Sequence, residues 1–106
     1  MRTLLRVAMV LGLLLGCASL EAARLYRSGS AALDRGDAER AIADLERAAQ
    51  LQPQASEIQN HLGLAYAEAG RDEDARRAFQ RSVDLDCDNE AAQHNLAWSE
   101  SRAEVP

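Results

Sequence analysis

The sequence of 106 residues has no lysine, two prolines, two histidines and only 4% aromatic residues. A β-sandwich or barrel needs Val, Ile, Thr and aromatic residues at alternating positions, and no stretch here alternates in that way. Alanine supplies much of the 47% apolar fraction instead, which favours closely packed helices. Because Pro53 is the only proline before the last residue, helices can extend on both sides of it. The composition predicts one small all-α domain.

The charge and the motifs exclude several classes of function. Seventeen acidic residues outnumber twelve arginines, and the net charge is −5. Binding of nucleic acid requires a basic face, so we expect no nucleic acid partner. The sequence has no Ser-His-Asp order, glycine-rich phosphate loop or H-E-x-x-H motif. We therefore expect neither an enzyme nor a cofactor.

The N-terminal segment has the layout of a secretory signal peptide. Arg2 and Arg6 form a positive region, residues 7–15 are uninterruptedly apolar, and small residues follow at 16–18. The apolar run is shorter than the ~20 residues of a membrane-spanning helix. Without these two arginines the net charge would be −7. We expect this segment to be an export signal outside the fold.

The end of this segment, Leu14-Leu15-Gly16-Cys17, resembles a bacterial lipobox. The resemblance implies a signal peptide at 1–16, a lipidated Cys17 and a short tether at 17–21. Two or three acyl chains on one residue make a stable membrane anchor. Ala18 is not the aspartate that retains such lipoproteins in the inner membrane, so the resemblance implies the outer membrane, facing the periplasm. The alternatives are cleavage after Ala18, which gives a soluble periplasmic protein, an uncleaved anchor, and an incidental Cys17.

Residues 56–89 contain small, large and turn residues at offsets that suit two short antiparallel helices. Gly63 and Ala75 allow a close approach that Tyr66 and Phe79 fill, while Gly70 supplies the left-handed turn position. Asp72 is predicted to cap the second helix. This pattern, with Leu62-Gly63, resembles a tetratricopeptide (TPR) unit, whose repeat is about 34 residues long. The resemblance implies a solenoid of helix-turn-helix units.

A shift of 34 residues aligns the chain with itself. Seven identical pairs result: Gly29/Gly63, Ala31/Ala65, Gly36/Gly70, Glu39/Glu73, Ala41/Ala75, Arg47/Arg81 and Leu51/Leu85. The interpretation is a degenerate repeat at 22–55, a second repeat at 56–89, and a capping helix with a tail at 90–106. We predict helices at 22–35, 38–51, 57–69, 73–85 and 90–102. Asp37 and Asn89 are the expected caps, and Ser56 with Gln59 forms a capping-box pattern.

In TPR proteins the first helix of each repeat lines a concave groove that binds a protein or peptide. The resemblance places ten residues there: Tyr26, Ser30, Leu33, Asn60, His61, Leu64, Glu68, His94, Trp98 and Arg102. The Lys, Asn and Arg set that grips a C-terminal carboxylate in some TPR proteins is missing. For Trp98 the alternative is that it packs over the Tyr66 region or closes the end of the array.

Two further patterns are assigned to structure rather than chemistry. The acidic stretch 84–90 resembles the start of a calcium loop, but Asn89 and Asn95 stand where glycine and a carboxylate are needed. We expect an inter-repeat turn, in which Cys87 takes the place that Pro53 has in the first repeat. Cys87 is expected to be a small, partly buried apolar residue, with intermolecular disulfide pairing as the alternative. The two histidines, at 61 and 94, lack further ligands, and no metal site is expected.

The function expected from these features is a membrane-anchored protein-interaction module that supports assembly of an envelope complex. The alternatives are a small-ligand-binding or structural lipoprotein and a soluble periplasmic TPR protein. TPR arrays usually contain three or more repeats. With only two repeats, the domain is expected to be marginally stable alone and to depend on a partner or on self-association for its stability.

Overall fold

The structure is a computed structural model that describes residues 1–105, and it is all-α. Its helices are α1 (Arg2–Asp34), α2 (Ala38–Leu51), α3 (Ser56–Glu68), α4 (Asp72–Leu85) and α5 (Glu90–Ala103). Nine of the ten predicted helix ends lie within one residue of those observed. The exception is the start of the first helix, which was predicted at residue 22 and lies at Arg2. The predicted all-α, TPR-type architecture is confirmed.

Helix α1 is continuous through the N-terminal segment and the first repeat. Residues 1–17 are exposed, and Ala22 is the first buried residue. The helix remains regular through residues 17–21, where a tether was predicted. By length and composition it could cross a membrane, and a signal sequence near the N-terminus has the same properties. The apolar part of α1 is therefore longer than the uninterrupted apolar run at residues 7–15.

The helices pack as two hairpins and a closing helix. Helix α1 packs on α2 and α3 on α4, while α3 contacts α2 and α5 contacts α4. The shared core is small and rich in alanine, and it consists of Ala32, Ala41, Ile42, Leu45, Leu62, Ala65 and Ala78. Small side chains let the helix axes approach, so burial is achieved with few large residues. This places α1, α3 and α5 side by side as the first helices of successive units.

Each hairpin is held closest where a glycine faces one large side chain. A Cβ atom on Gly63 would lie under 3.0 Å from three ring carbons of Phe79, and one on Gly29 would lie 2.7 Å from Leu45 Cγ. Phe79 and Leu45 are fully buried. The predicted close approach at Gly63 is confirmed, and the first repeat contains its counterpart.

The turns repeat as well, although two of the expected caps are wrong. Gly36 and Gly70 both have φ of 76°, the left-handed conformation expected at the end of a helix. Asp37 accepts a hydrogen bond from the Arg40 backbone N–H at 3.2 Å. Asp72 does not cap α4, because the helix begins at that residue and Arg71 occupies the cap position without a side-chain capping hydrogen bond.

The second wrong cap is Ser56, which is the first residue of α3 rather than its cap. Its hydroxyl lies 2.9 Å from Ser82 Oγ, and Ser82 donates to the Ser56 carbonyl at 2.7 Å. The side chain therefore joins the start of α3 to the end of α4. Asn89 donates to the Ser56 hydroxyl at 2.9 Å and caps α5 as predicted, accepting from the Ala92 backbone N–H at 3.1 Å.

The first repeat departs from the second at Ser28, and the structure explains the difference. Ser28 stands where the second repeat has Leu62, and its hydroxyl donates to Asp44 Oδ2 at 2.6 Å. Asp44 stands where the second repeat has Ala78. A polar pair in one repeat thus replaces an apolar pair in the other. Burial acts to raise the pKa of Asp44, but hydrogen bonds from Ser28 and Arg40 outweigh it and hold the pKa below its ordinary value.

Candidate inner groove

Two opposite sides of helix α3 border hollows in the protein. Because 3.6 residues make one turn, positions 57, 61, 64 and 68 share one side, and positions 59, 62 and 66 share the other. The side with positions 57, 61, 64 and 68 faces the same way as the residues of α1 and α5 that contact α3. We call this surface the inner groove, lined by Tyr26, His61, Leu64, Glu68, His94 and Trp98.

Between α3 and α5 the inner groove contains an open hollow of about 430 Å³. Its lining comprises Leu64, Ala67, Glu68, His94, Asn95, Trp98 and Arg102. Five of these were predicted as groove residues, and all five are brought together here. Ala67 and Asn95 were missed, although both lie three residues from a predicted position, Leu64 and Trp98, on the same helix.

Trp98 forms one wall of the hollow and is 40% exposed. The Arg102 guanidinium lies over its ring, 4.9 Å from the centroid, and pairs with Asp72 at 3.5 Å. Trp98 does not pack over the Tyr66 region, since Tyr66 lies on the opposite side of α3. An exposed, oriented indole of this kind is a ready contact for a partner.

Tyr26 and His61 join α1 to α3 in the other half of the groove. Tyr26 Oη lies 3.3 Å from His61 Nδ1, and the rings meet edge to face at 5.0 Å. His61 Nδ1 also lies 3.0 Å from the Glu57 carbonyl. Burial raises the pKa of Tyr26, and the nearby Glu57 carboxylate adds to it. The phenol therefore stays protonated at neutral pH and can donate a hydrogen bond.

The remaining three predicted groove residues are more buried, Asn60 fully and Ser30 and Leu33 in part. Asn60 is 6% exposed, and its Oδ1 accepts a hydrogen bond from Asn95 Nδ2 at 2.9 Å. Leu33 packs against the core cluster, and Ser30 Oγ is buried. Asn60 therefore joins α3 to α5, and Leu33 contributes to the packing of α1.

The groups considered for metal or redox chemistry do not converge. Among residues 1–105, no cluster of three His, Cys, Asp or Glu side chains could hold a metal ion. In the acidic turn, Asp86 Oδ1 accepts from the Asp88 backbone N–H at 3.0 Å, and the Cys87 carbonyl accepts from Gln93. Cys87 itself is exposed, so the expectation that it is partly buried is wrong. The turn is stabilised locally by its own polar groups.

Two helical hairpins, a closing helix and an open groove define a helical-repeat protein of the kind that presents a binding surface. A family model for the tetratricopeptide repeat matches residues 26–98, which cover both hairpins and most of α5. The chain belongs to the tetratricopeptide repeat family. Repeats of this family are non-catalytic and generally mediate protein–protein interactions. No curated protein matches the chain.

Proposed function

We propose that the chain is a membrane-anchored interaction module whose inner groove binds a segment of a partner protein during assembly of an envelope complex. The observation that carries this proposal is the hollow in which a 40% exposed Trp98 stands beside Leu64. Aromatic residues that anchor a partner in such hollows account for much of the binding free energy of many interfaces. The fold supplies the surface, and no catalytic group is needed.

The charges of the groove favour a partner segment with apolar and basic residues. Glu57 and Glu68 are exposed on the groove side of α3. The guanidinium of Arg102 already pairs with Asp72 and lies over the Trp98 ring. An amphipathic helix could place its apolar stripe on Leu64 and Trp98 and a Lys or Arg against Glu68.

The proposed anchor is a lipid on Cys17, which would hold the module at the outer membrane and facing the periplasm. Cys17 is exposed, and five positions separate it from Ala22, the first buried residue. At 1.5 Å per residue this helical spacing is about 8 Å. The repeats would therefore lie directly at the membrane surface, close to other membrane components.

Photo-crosslinking in intact cells tests the groove. A photoreactive amino acid at Leu64 is expected to give a discrete crosslinked product, which mass spectrometry then identifies. Trp98→Ala in the same chain is expected to reduce that product at least tenfold. The matched control places the photoreactive group at Gln50, on the opposite face, where no such product is expected. Equal products at both positions would contradict the proposal.

Metabolic labelling with a radioactive fatty acid tests the anchor. The wild-type chain is expected to incorporate label and to lose residues 1–16, while Cys17→Ser leaves an unlabelled, longer precursor. Cys87→Ser is the matched control and is expected to be labelled like the wild type. Normal processing of Cys17→Ser would instead favour cleavage after Ala18 and a soluble periplasmic protein.

The competing function is that of a small-ligand-binding or structural lipoprotein. In that case Leu64→Arg and Trp98→Ala would leave every protein complex of the chain intact. Self-association is distinguished by the mass of the crosslinked product, which would be twice that of the chain.

A further inference from the structure

The outward side of α3 forms the floor of a second cavity, which lies on the opposite face from the inner groove. Two adjoining hollows of about 390 Å³ and 230 Å³ share Gln59, Leu62, Tyr66 and Arg81. We call them together the outer cleft. The walls come from α2 and the turn after it (Glu46, Ala49, Gln50, Pro53) and from α4 (Asp74, Arg77, Ala78, Arg81). The larger hollow falls within the range of small-molecule sites, and the smaller one extends it.

Gln59 is the feature of the outer cleft that packing does not explain. It is 6% exposed, and its Oε1 is buried without a hydrogen-bond partner among residues 1–105. The equivalent residue of the first repeat is Leu25, so the fold accepts an apolar side chain at this position. A buried, unpaired amide oxygen destabilises the chain. A ligand that donates a hydrogen bond to Gln59 would compensate for that cost.

Glu46 on the α2 wall of the outer cleft and Arg81 on the α4 wall carry opposite charges and do not form an ion pair with each other. Glu46 accepts a hydrogen bond from Tyr66 Oη at 2.6 Å, and its second carboxylate oxygen is not used by this bond. On the α4 wall Arg77 is paired with Asp74 at 2.7 Å. Within residues 1–105, neither Glu46 nor Arg81 has an ion-pair partner within 4.0 Å. Arg71 lies over the Tyr66 ring at 4.7 Å, near Glu46. The cleft thus has the Glu46 carboxylate, which is bonded to Tyr66, on one wall and the exposed Arg81 guanidinium on the other.

We propose that the outer cleft binds a small zwitterion, of the size of an amino acid or a dipeptide. Its ammonium group donates to the Glu46 carboxylate and to Gln59 Oε1, and its carboxylate accepts from the Arg81 guanidinium. Leu62 and the ring of Tyr66 contact the apolar part of the ligand. This site is independent of the inner groove and does not require the proposed partner.

Titration of the full-length, ¹⁵N-labelled chain in detergent micelles tests the site. The probe is the dipeptide alanyl-alanine, and the matched probes are N-acetylalanine and alaninamide, which each lack one of the two charges. The side-chain amide signals of Gln59 and the Nε–H signal of Arg81 are expected to shift saturably with alanyl-alanine, with a Kd on the order of 1 mM. The singly charged probes are expected to bind at least ~10-fold more weakly.

Three variants separate binding from folding. Arg81→Ala is expected to weaken binding of alanyl-alanine at least ~10-fold. Arg47→Ala is the matched control, because Arg47 is the repeat equivalent of Arg81 and does not line the cleft, and it is expected to bind normally. Gln59→Leu is expected to abolish binding while raising the Tm by about 5 °C.

Two results would overturn the proposal. One is the absence of any shift up to ~20 mM alanyl-alanine, which would show that the cleft holds water only. The other is a lower Tm for Gln59→Leu, which would show that the amide is satisfied within the free protein. An unchanged crosslink from Leu64 in the Arg81→Ala variant keeps this test distinct from the test of the inner groove.

Discussion

Gly63 lies directly against the ring of Phe79, and Gly29 stands in the same relation to Leu45 one repeat earlier. The two pairs fix the distance between the helices of each hairpin. They also show why a chain with so few aromatic residues can build a core. One large side chain per hairpin is enough when the opposite helix offers no Cβ.

Substitution Gly63→Ala tests this packing. Alanine is the better helix former by about 1 kcal/mol, but overpacking of a core typically costs 1–3 kcal/mol, here because the new Cβ overlaps the Phe79 ring. We expect the overlap to dominate and the free energy of unfolding in urea to fall by about 1–2 kcal/mol. Adding Phe79→Leu is expected to relieve part of the overlap. A more stable Gly63→Ala protein would contradict the role given to this glycine.

Exchange of the polar pair of the first repeat tests the equivalence of the two repeats. Ser28→Leu alone removes a hydrogen bond from the buried Asp44 and is expected to cost about 2 kcal/mol. The double variant Ser28→Leu, Asp44→Ala installs the pair that the second repeat has at 62 and 78. It is expected to recover most of that loss, as measured by a double-mutant cycle. Additive losses would show that the two pairs are not interchangeable.

Acidification is expected to destabilise the protein through Asp44. Its pKa is held below the ordinary value in the folded state, so its stabilising effect is complete above the unfolded pKa of about 3.9. That effect is lost as the pH falls from about 4 through the folded pKa. The free energy of unfolding in urea is expected to differ between wild type and Asp44→Asn at pH 7, and this gap is expected to narrow as the pH falls to 3. A gap that does not change with pH would exclude a charge effect at Asp44.

The repeat domain without its N-terminal segment, residues 17–106, is expected to be marginally stable. Two repeats bury little apolar surface, and the hollow at Trp98 stays open to solvent. We expect a free energy of unfolding at or below ~5 kcal/mol and a Tm that rises when the partner segment is added. A monomer that unfolds only at high temperature would contradict the need for a partner or for self-association.

The sequence predicted the repeat architecture because its signals are local and recur. Gly36 and Gly70 mark the helix ends, and Asp37 and Asn89 cap the helices that follow. These positions depend on backbone geometry over a few residues. The resemblance at residues 14–17 led to a predicted boundary and tether, but no helix-breaking residue interrupts the chain there, so the continuity of α1 was not foreseen.

Two of the wrong predictions involve residues whose contacts lie far away along the chain. Ser56 was expected to cap α3, but Ser82, 26 residues later, offers it a stronger set of partners. Asn60 was expected to face the groove and instead bonds Asn95, 35 residues later. Helical spacing alone predicts the side of a helix on which a residue lies. The packing of the neighbouring helix determines whether that side is buried.

The most direct test of the inner groove uses the fluorescence of Trp98, the only tryptophan of the chain. Titration with the partner segment identified by crosslinking is expected to shift its emission to shorter wavelength, because the ring leaves water. Leu64→Arg is expected to abolish the shift, while Arg81→Ala, on the opposite face, leaves it unchanged. Binding of the segment without any change in Trp98 emission would contradict the claim that this groove holds the partner.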